Sequence, residues 1–173
     1  MRIVIDGYNL LKALPECRPL EALDPERARD HLIALLGRYR WLKGHAVTVV
    51  FDGWLDGQPL PRRLNARGIQ VIYSQRGEQA DEVIRRMGPQ VAHQGIAVSS
   101  DRALARYLGQ LGVEVIGSSE FGARLRAALQ DRRQEGTDGQ QNDFPSPPQS
   151  NPKRTGRRAS RAERWHQRRL RNL

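Results

Sequence analysis

The chain has 173 residues, 38% of them hydrophobic and 28% charged, which suits one folded domain with an added segment. It contains no apolar run near the ~20 residues that cross a bilayer, and its single cysteine, Cys17, excludes both an internal disulfide and a thiolate metal cluster. The net charge of +10 is unevenly spread: residues 153–173 hold nine of the 29 Lys and Arg against the one acid Glu163, a tail of +8 beside a body of 20 basic and 18 acidic groups at +2.

The N-terminus, MRIVIDGYNLL, lacks the basic region, long apolar stretch and small-residue cleavage site of a secretory signal, so a cytoplasmic protein is expected. Short β-branched runs then alternate with helical periodicity. Strands are expected at 2–6 (RIVID), 46–51 (AVTVVF), 69–73 (IQVIY), 95–99 (GIAVS) and 113–116 (VEVI), each apolar enough to be buried on both faces. Between the first two, Asp24 as N-cap and Pro25 at the first helical position open an amphipathic helix. Leu32, Leu35, Leu36, Tyr39 and Leu42 share one of its faces until Gly44. Further helices fit 79–93, 102–111 and 119–131, with Gly88-Pro89 expected to interrupt or kink the first of them. Repeated strand–helix–strand succession makes the fold class α/β, a mostly parallel sheet flanked by helices, over a domain at 1–131. Residues 132–152, rich in Gly, Pro, Gln, Ser and Asn, read as a flexible linker. The basic tail 153–173 can form a short helix capped by Ser160 and Glu163.

In a parallel α/β sheet, ligands bind at the carboxyl ends of the strands. Asp6 ends the first strand, Asp52 the second, Asp101 follows the fourth, and Asp81 opens the helix after the third. Taken singly, each has a plain structural use as a helix cap or turn residue. Together they repel at neutral pH, and only Asp101 has an adjacent cation, so a bound Mg²⁺ or Mn²⁺ is the simplest compensation; no His/Cys spacing suggests zinc. Such a cluster suits hydrolysis of a phosphodiester. Asn9 is placed to orient a ligand carboxylate or contact a phosphate, Ser99 or Ser100 to donate to the phosphate, and Arg102 to pair with it or with a carboxylate. The loop 57–67 brings Arg62, Arg63 and Arg67 toward the same edge, and Trp54 follows Asp52-Gly53 where it could stack on a base. In the tail, Lys153, Arg154, Arg157, Arg158, Arg168 and Arg169 surround Trp165, a pattern for an RNA backbone or the ribosome. A helix there would lack the continuous apolar stripe of a membrane anchor.

The elements D-G-Y-N at 6–9, F-D at 51–52, G-E-x-A-D-E at 77–82 and S-S-D-R at 99–102 resemble the YacP-like NYN family of the PIN-like nucleases over about residues 1–130. The resemblance implies a Rossmann-like PIN fold and a metal-dependent endoribonuclease whose acidic cluster is Asp6, Asp52, Asp81 and Asp101. Asn9, Ser100 and Arg102 would support it, with Glu78 and Glu82 as alternative ligands. The Gly88-Pro89 break and the basic tail depart from the family pattern. The competing expectation is an RNA-binding or ribosome-associated protein of the same fold with little catalysis of its own. A nucleotide-binding protein is disfavoured because DGYNLL carries neither G-x-G-x-x-G nor G-x-x-x-x-G-K-[ST].

Overall fold

The structure, a computed structural model, describes residues 1–53, 62–92 and 94–135. Six strands form one sheet: β1 (Arg2–Asp6), β2 (Ala46–Phe51), β3 (Arg62–Ala66), β4 (Ile69–Tyr73), β5 (Gly95–Val98) and β6 (Glu114–Ile116), in the order β3-β4-β2-β1-β5-β6. All neighbouring pairs are parallel except β3 with β4. The helices are α1 (Gly7–Ala13), α2 (Arg18–Leu23), α3 (Pro25–Lys43), α4 (Ala80–Val91), α5 (Arg102–Gln110) and α6 (Ser118–Glu135).

Alternation along the strands divides the apolar residues between two layers. Ile3, Ile5, Val47, Val49, Phe51 and Val71 pack against α1, α3 and α6 through Leu10, Leu36, Tyr39, Phe121 and Leu125. Val4, Val50, Ile72 and Ala97 pack on the other face against α4 and α5 through Val83, Ile84, Leu104 and Leu108. The result is a three-layer, PIN-like arrangement in which each fully buried Leu, Ile or Phe contributes about 1.5–3 kcal/mol. Among the described residues no helix is long and apolar enough to cross a membrane.

The long helix behaves as its sequence indicates: Asp24 Oδ1 accepts the Arg27 N–H at 3.0 Å, and α3 ends on Gly44 in the left-handed region. Several elements depart from expectation. The segments giving α1 and α2, seven and six residues long, carry too little periodicity to announce helices. The expected loop at 57–67 contains strand β3. Its hairpin closes on Arg67 (φ 51°) and Gly68 (φ 79°), both with the positive φ that a two-residue type I′ turn requires. The expected break at Gly88-Pro89 does not occur, and α4 runs unbroken to Val91. Pro89 stands near the helix end, where it removes a single backbone donor, and Val83, Ile84 and Val91 hold α4 on the sheet. Helix α6 continues to Glu135, past the expected domain end at 131.

The register levels the carboxyl ends of the central strands: Asp6 lies opposite Val50, Phe51 opposite Tyr73, and Val98 opposite Ile5. The chain leaves β1 for one face of the sheet through α1 and leaves β5 for the other through α5, so a crevice opens between those two strand ends. Its wall depends on Gly7, where a Cβ would overlap the Phe51 ring. Gly7→Ala is expected to cost about 2 kcal/mol through overpacking, read as a fall in the urea midpoint without a change in slope.

Candidate active site

At the crevice, Asp6 is both the last residue of β1 and the N-cap of α1. Its Oδ1 accepts the Asn9 N–H at 3.0 Å, and its other oxygen accepts from Asn9 Nδ2. Asn9 Nδ2 also lies 3.4 Å from Ser99 Oγ, and that hydroxyl accepts the Asp101 N–H at 3.1 Å. Asp101 in turn caps α5, its Oδ1 accepting the Leu104 N–H at 2.7 Å. One chain of hydrogen bonds therefore ties the ends of β1 and β5 across the crevice. Asp52, just past β2, accepts the Ala80 N–H and so fixes the start of α4 and Asp81 with it. Gly53 is pinned by its N–H donating to Ser74 Oγ at 3.0 Å, and a Cβ there would overlap the Ser74 carbonyl.

Electrostatics show that the four aspartates share one neighbourhood. Burial, followed by the charges of Asp6 and Asp101, lifts Asp81 from 3.8 to about 6; Asp52 adds to the rise and Arg85 opposes it. Asp6 is raised chiefly by burial, against the lowering effect of its Asn9 hydrogen bonds. Oxygen donors with surplus negative charge match Mg²⁺ or Mn²⁺. Among the described residues, however, no three His, Cys, Asp or Glu side chains are arranged to hold one ion. Asp6, Asp52 and Asp101 each direct oxygens to amide N–H groups instead, so the fit to a cation lies in donor type and charge, not in coordination geometry.

The supporting positions separate. Ser99, buried, joins Asn9 to Asp101, whereas exposed Ser100 accepts the Ser118 N–H at 3.3 Å and serves the start of α6. Glu78, 5% exposed, is turned to Arg86 and to the Gln75 N–H and is thereby engaged away from the aspartates; Glu82 is exposed on α4. Arg102 is exposed as the first residue of α5. The hairpin register splits the arginines expected near the site. Arg62 pairs with Tyr73 at the carboxyl edge and Arg63 with Ile72, but Arg67 lies in the turn at the far end, because the strand reverses direction there. Trp54 and the tail cations Lys153, Arg154, Arg157, Arg158, Arg168 and Arg169 fall outside the described residues.

The structure adds a group that no motif marks. Arg29 of α3, 5% exposed, donates to the Tyr8 hydroxyl at 3.1 Å and stands 5.9 Å from the centroid of the Tyr73 ring. Phe51 stacks on Tyr73 and meets Tyr8 edge-on, placing an aromatic cluster with a buried cation beside Asp6. Nothing in the sequence distinguishes Arg29 from the other arginines of α3.

A carboxyl whose pKa rises on folding costs nothing below 3.8, a growing amount between 3.8 and 6, and its full penalty above 6. Asp81→Asn should therefore stabilise the metal-free protein at pH 7.5 by about 1 kcal/mol, allowing for a half-buried group, a gain of roughly 3 °C in Tm. The gain should shrink toward zero as the pH falls to 4.5, as scanning calorimetry across that range would record.

Comparison with known proteins agrees with this fold. The sequence profile of the YacP-like NYN domain matches residues 3–172, a span that runs on through the basic tail. The chain is 33% identical over 122 residues to the uncharacterized protein YacP of Bacillus subtilis (strain 168), covering 70% of each chain. It is also similar to crystal structures of Rae1 (YacP) from Bacillus subtilis. One matches at TM-score 0.65 and 28% identity, covering 78% of this chain and 79% of that one. The other, of a point mutant, matches at TM-score 0.65 and 25% identity, covering 77% and 79%. With fold and sequence in agreement, this chain belongs to the YacP-like NYN domain family.

Proposed function

We propose that the protein is a cytoplasmic, metal-dependent endoribonuclease that hydrolyses phosphodiester bonds in single-stranded RNA, such as mRNA. The observation that carries this reading is that the charges of Asp6, Asp101 and Asp52 all act on the half-buried Asp81 at the carboxyl edge of a NYN-family sheet. These four carboxylates would hold Mg²⁺ or Mn²⁺, which when bound supplies charge neutralisation and a more acidic water. Asn9 fixes the orientation of Asp6, and Ser99 links that pair to Asp101, so hydrogen bonds join the two sides of the crevice. Arg102, beside Asp101, offers a planar cation to a phosphate of the substrate. The tail cations add an electrostatic hold on the RNA backbone.

A second reading has its own support. Because no three described carboxylates are arranged on one ion, a protein of this fold that binds RNA or the ribosome without cutting by itself also fits. Cleavage of a 5′-labelled RNA in EDTA, Mg²⁺ or Mn²⁺ separates the two. Metal-dependent internal products should fall at least about 100-fold in Asp6→Asn and Asp101→Asn. Asn caps a helix about as well as Asp, so both variants should keep their fold. Mn²⁺ at about 100 times its Kd should stabilise the wild-type protein by about 2.7 kcal/mol and the variants far less. RNA binding without cleavage under all three conditions, and without a melting shift, would instead leave the non-catalytic reading.

Replacing Arg157, Arg158, Arg168 and Arg169 together by Gln should weaken RNA binding. It should also reduce the slope of log K against log salt by up to about 3, at roughly 0.7 per phosphate contact. An unchanged slope would remove the tail from the RNA interface.

A further inference from the structure

On the α4–α5 side of the carboxylates, Arg85 stands one helical turn beyond Asp81, about 6 Å along the axis. An acid and an arginine four residues apart on a helix ordinarily pair. Here the guanidinium instead lies over Tyr107 of α5, 5.4 Å from the ring centroid, and among the described residues Arg85 forms no salt bridge. Its Nε is buried without a hydrogen-bond partner. Tyr107 is 39% exposed, and Leu23 and Trp41, the other large apolar side chains exposed among the described residues, belong to α2 and α3. Arg102 and Arg106 are also exposed on α5, and Glu82 is exposed on α4.

A guanidinium held against an aromatic ring by cation–π attraction is restrained in orientation, and with Nε buried its two terminal nitrogens are the ones left to donate to a phosphate. The exposed part of such a ring is a surface on which a base or sugar can rest, as single-stranded nucleic acids do on aromatic platforms. We propose that Arg85 and Tyr107 form a nucleotide subsite of this protein, in which a single strand running from the carboxylates along α4 and α5 places a phosphate on Arg85 and its base or sugar against Tyr107. The subsite rests on the ribonuclease reading, since it extends the path of the same substrate.

The test is anisotropy of a labelled short oligouridylate with the full-length protein in EDTA, titrated over a range of salt. Arg85→Gln should bind about 10-fold more weakly, with the log–log salt slope reduced by about 0.7, the value of one single-strand phosphate contact. Arg85→Lys should keep the slope and lose affinity, because the charge remains and the fork does not. Tyr107→Ala should weaken binding about 10-fold with the slope unchanged, Tyr107→Phe should match the wild type, and Arg126→Ala on α6 serves as the control that changes nothing. Wild-type binding with undiminished affinity in Arg85→Gln and Tyr107→Ala overturns the subsite alone. Weakening of Arg85→Gln with an unchanged slope overturns its phosphate contact. Absence of RNA binding by the wild type overturns the subsite, and the ribonuclease reading falls with it where Mg²⁺ and Mn²⁺ also give no cleavage.

Discussion

Four carboxylates held near one another at the edge of a sheet repel, and the local structure around them is organised to hold them there. Asp6, Asp52 and Asp101 each accept a backbone N–H from the helix that starts beside them, so part of the negative charge is spread into amide dipoles. Asp81 is raised to about 6 chiefly by its burial, and the charges of Asp6, Asp101 and Asp52 add to that rise. Under the proposed nuclease reading, a bound cation would relieve the penalty of keeping that carboxyl ionised at neutral pH.

The same hydrogen bonds explain why the aspartates are oriented as they are. An N-capping carboxylate gives an oxygen to the helix and keeps the other for a different partner. For Asp6 that second oxygen goes to Asn9, and Asn9 reaches on to Ser99. Close backbone approaches support the arrangement: Gly7 lets α1 lie against Phe51, and Gly53 lets the end of β2 lie against Ser74. A side chain at Gly7 would press on the buried Phe51 ring, and one at Gly53 on the Ser74 backbone.

Around the crevice the two helical layers present different surfaces. On one side stands the buried Arg29 with Tyr8, Phe51 and Tyr73; on the other, Arg85 and Tyr107 lie nearer to solvent. Both sides combine a cation with aromatic rings. They differ in burial: Arg29 is locked into the packing, while Tyr107 remains accessible.

Much of this was legible from residue order alone. Parallel strands flanked by helices follow from β-branched runs alternating with helical periodicity, and aspartates at strand ends must gather at one edge because parallel strands share a direction. Asp24 and Gly44 bound α3 because caps act locally. Other features depend on contacts between distant segments, which residue order does not contain. Strand β3 exists because β4 offers it an edge, and the reversal at Arg67 and Gly68 carries Arg67 away from the site. Pro89 stays within a helix because packing on the sheet outweighs one lost hydrogen bond. Ser99 rather than Ser100 joins the carboxylates because successive residues at a strand end point to opposite sides. Chemical type was thus determined by the sequence, through the aspartates and their places at strand ends; which neighbours orient, screen and extend that cluster was decided only by tertiary packing, since those partners lie up to 90 residues apart in the chain.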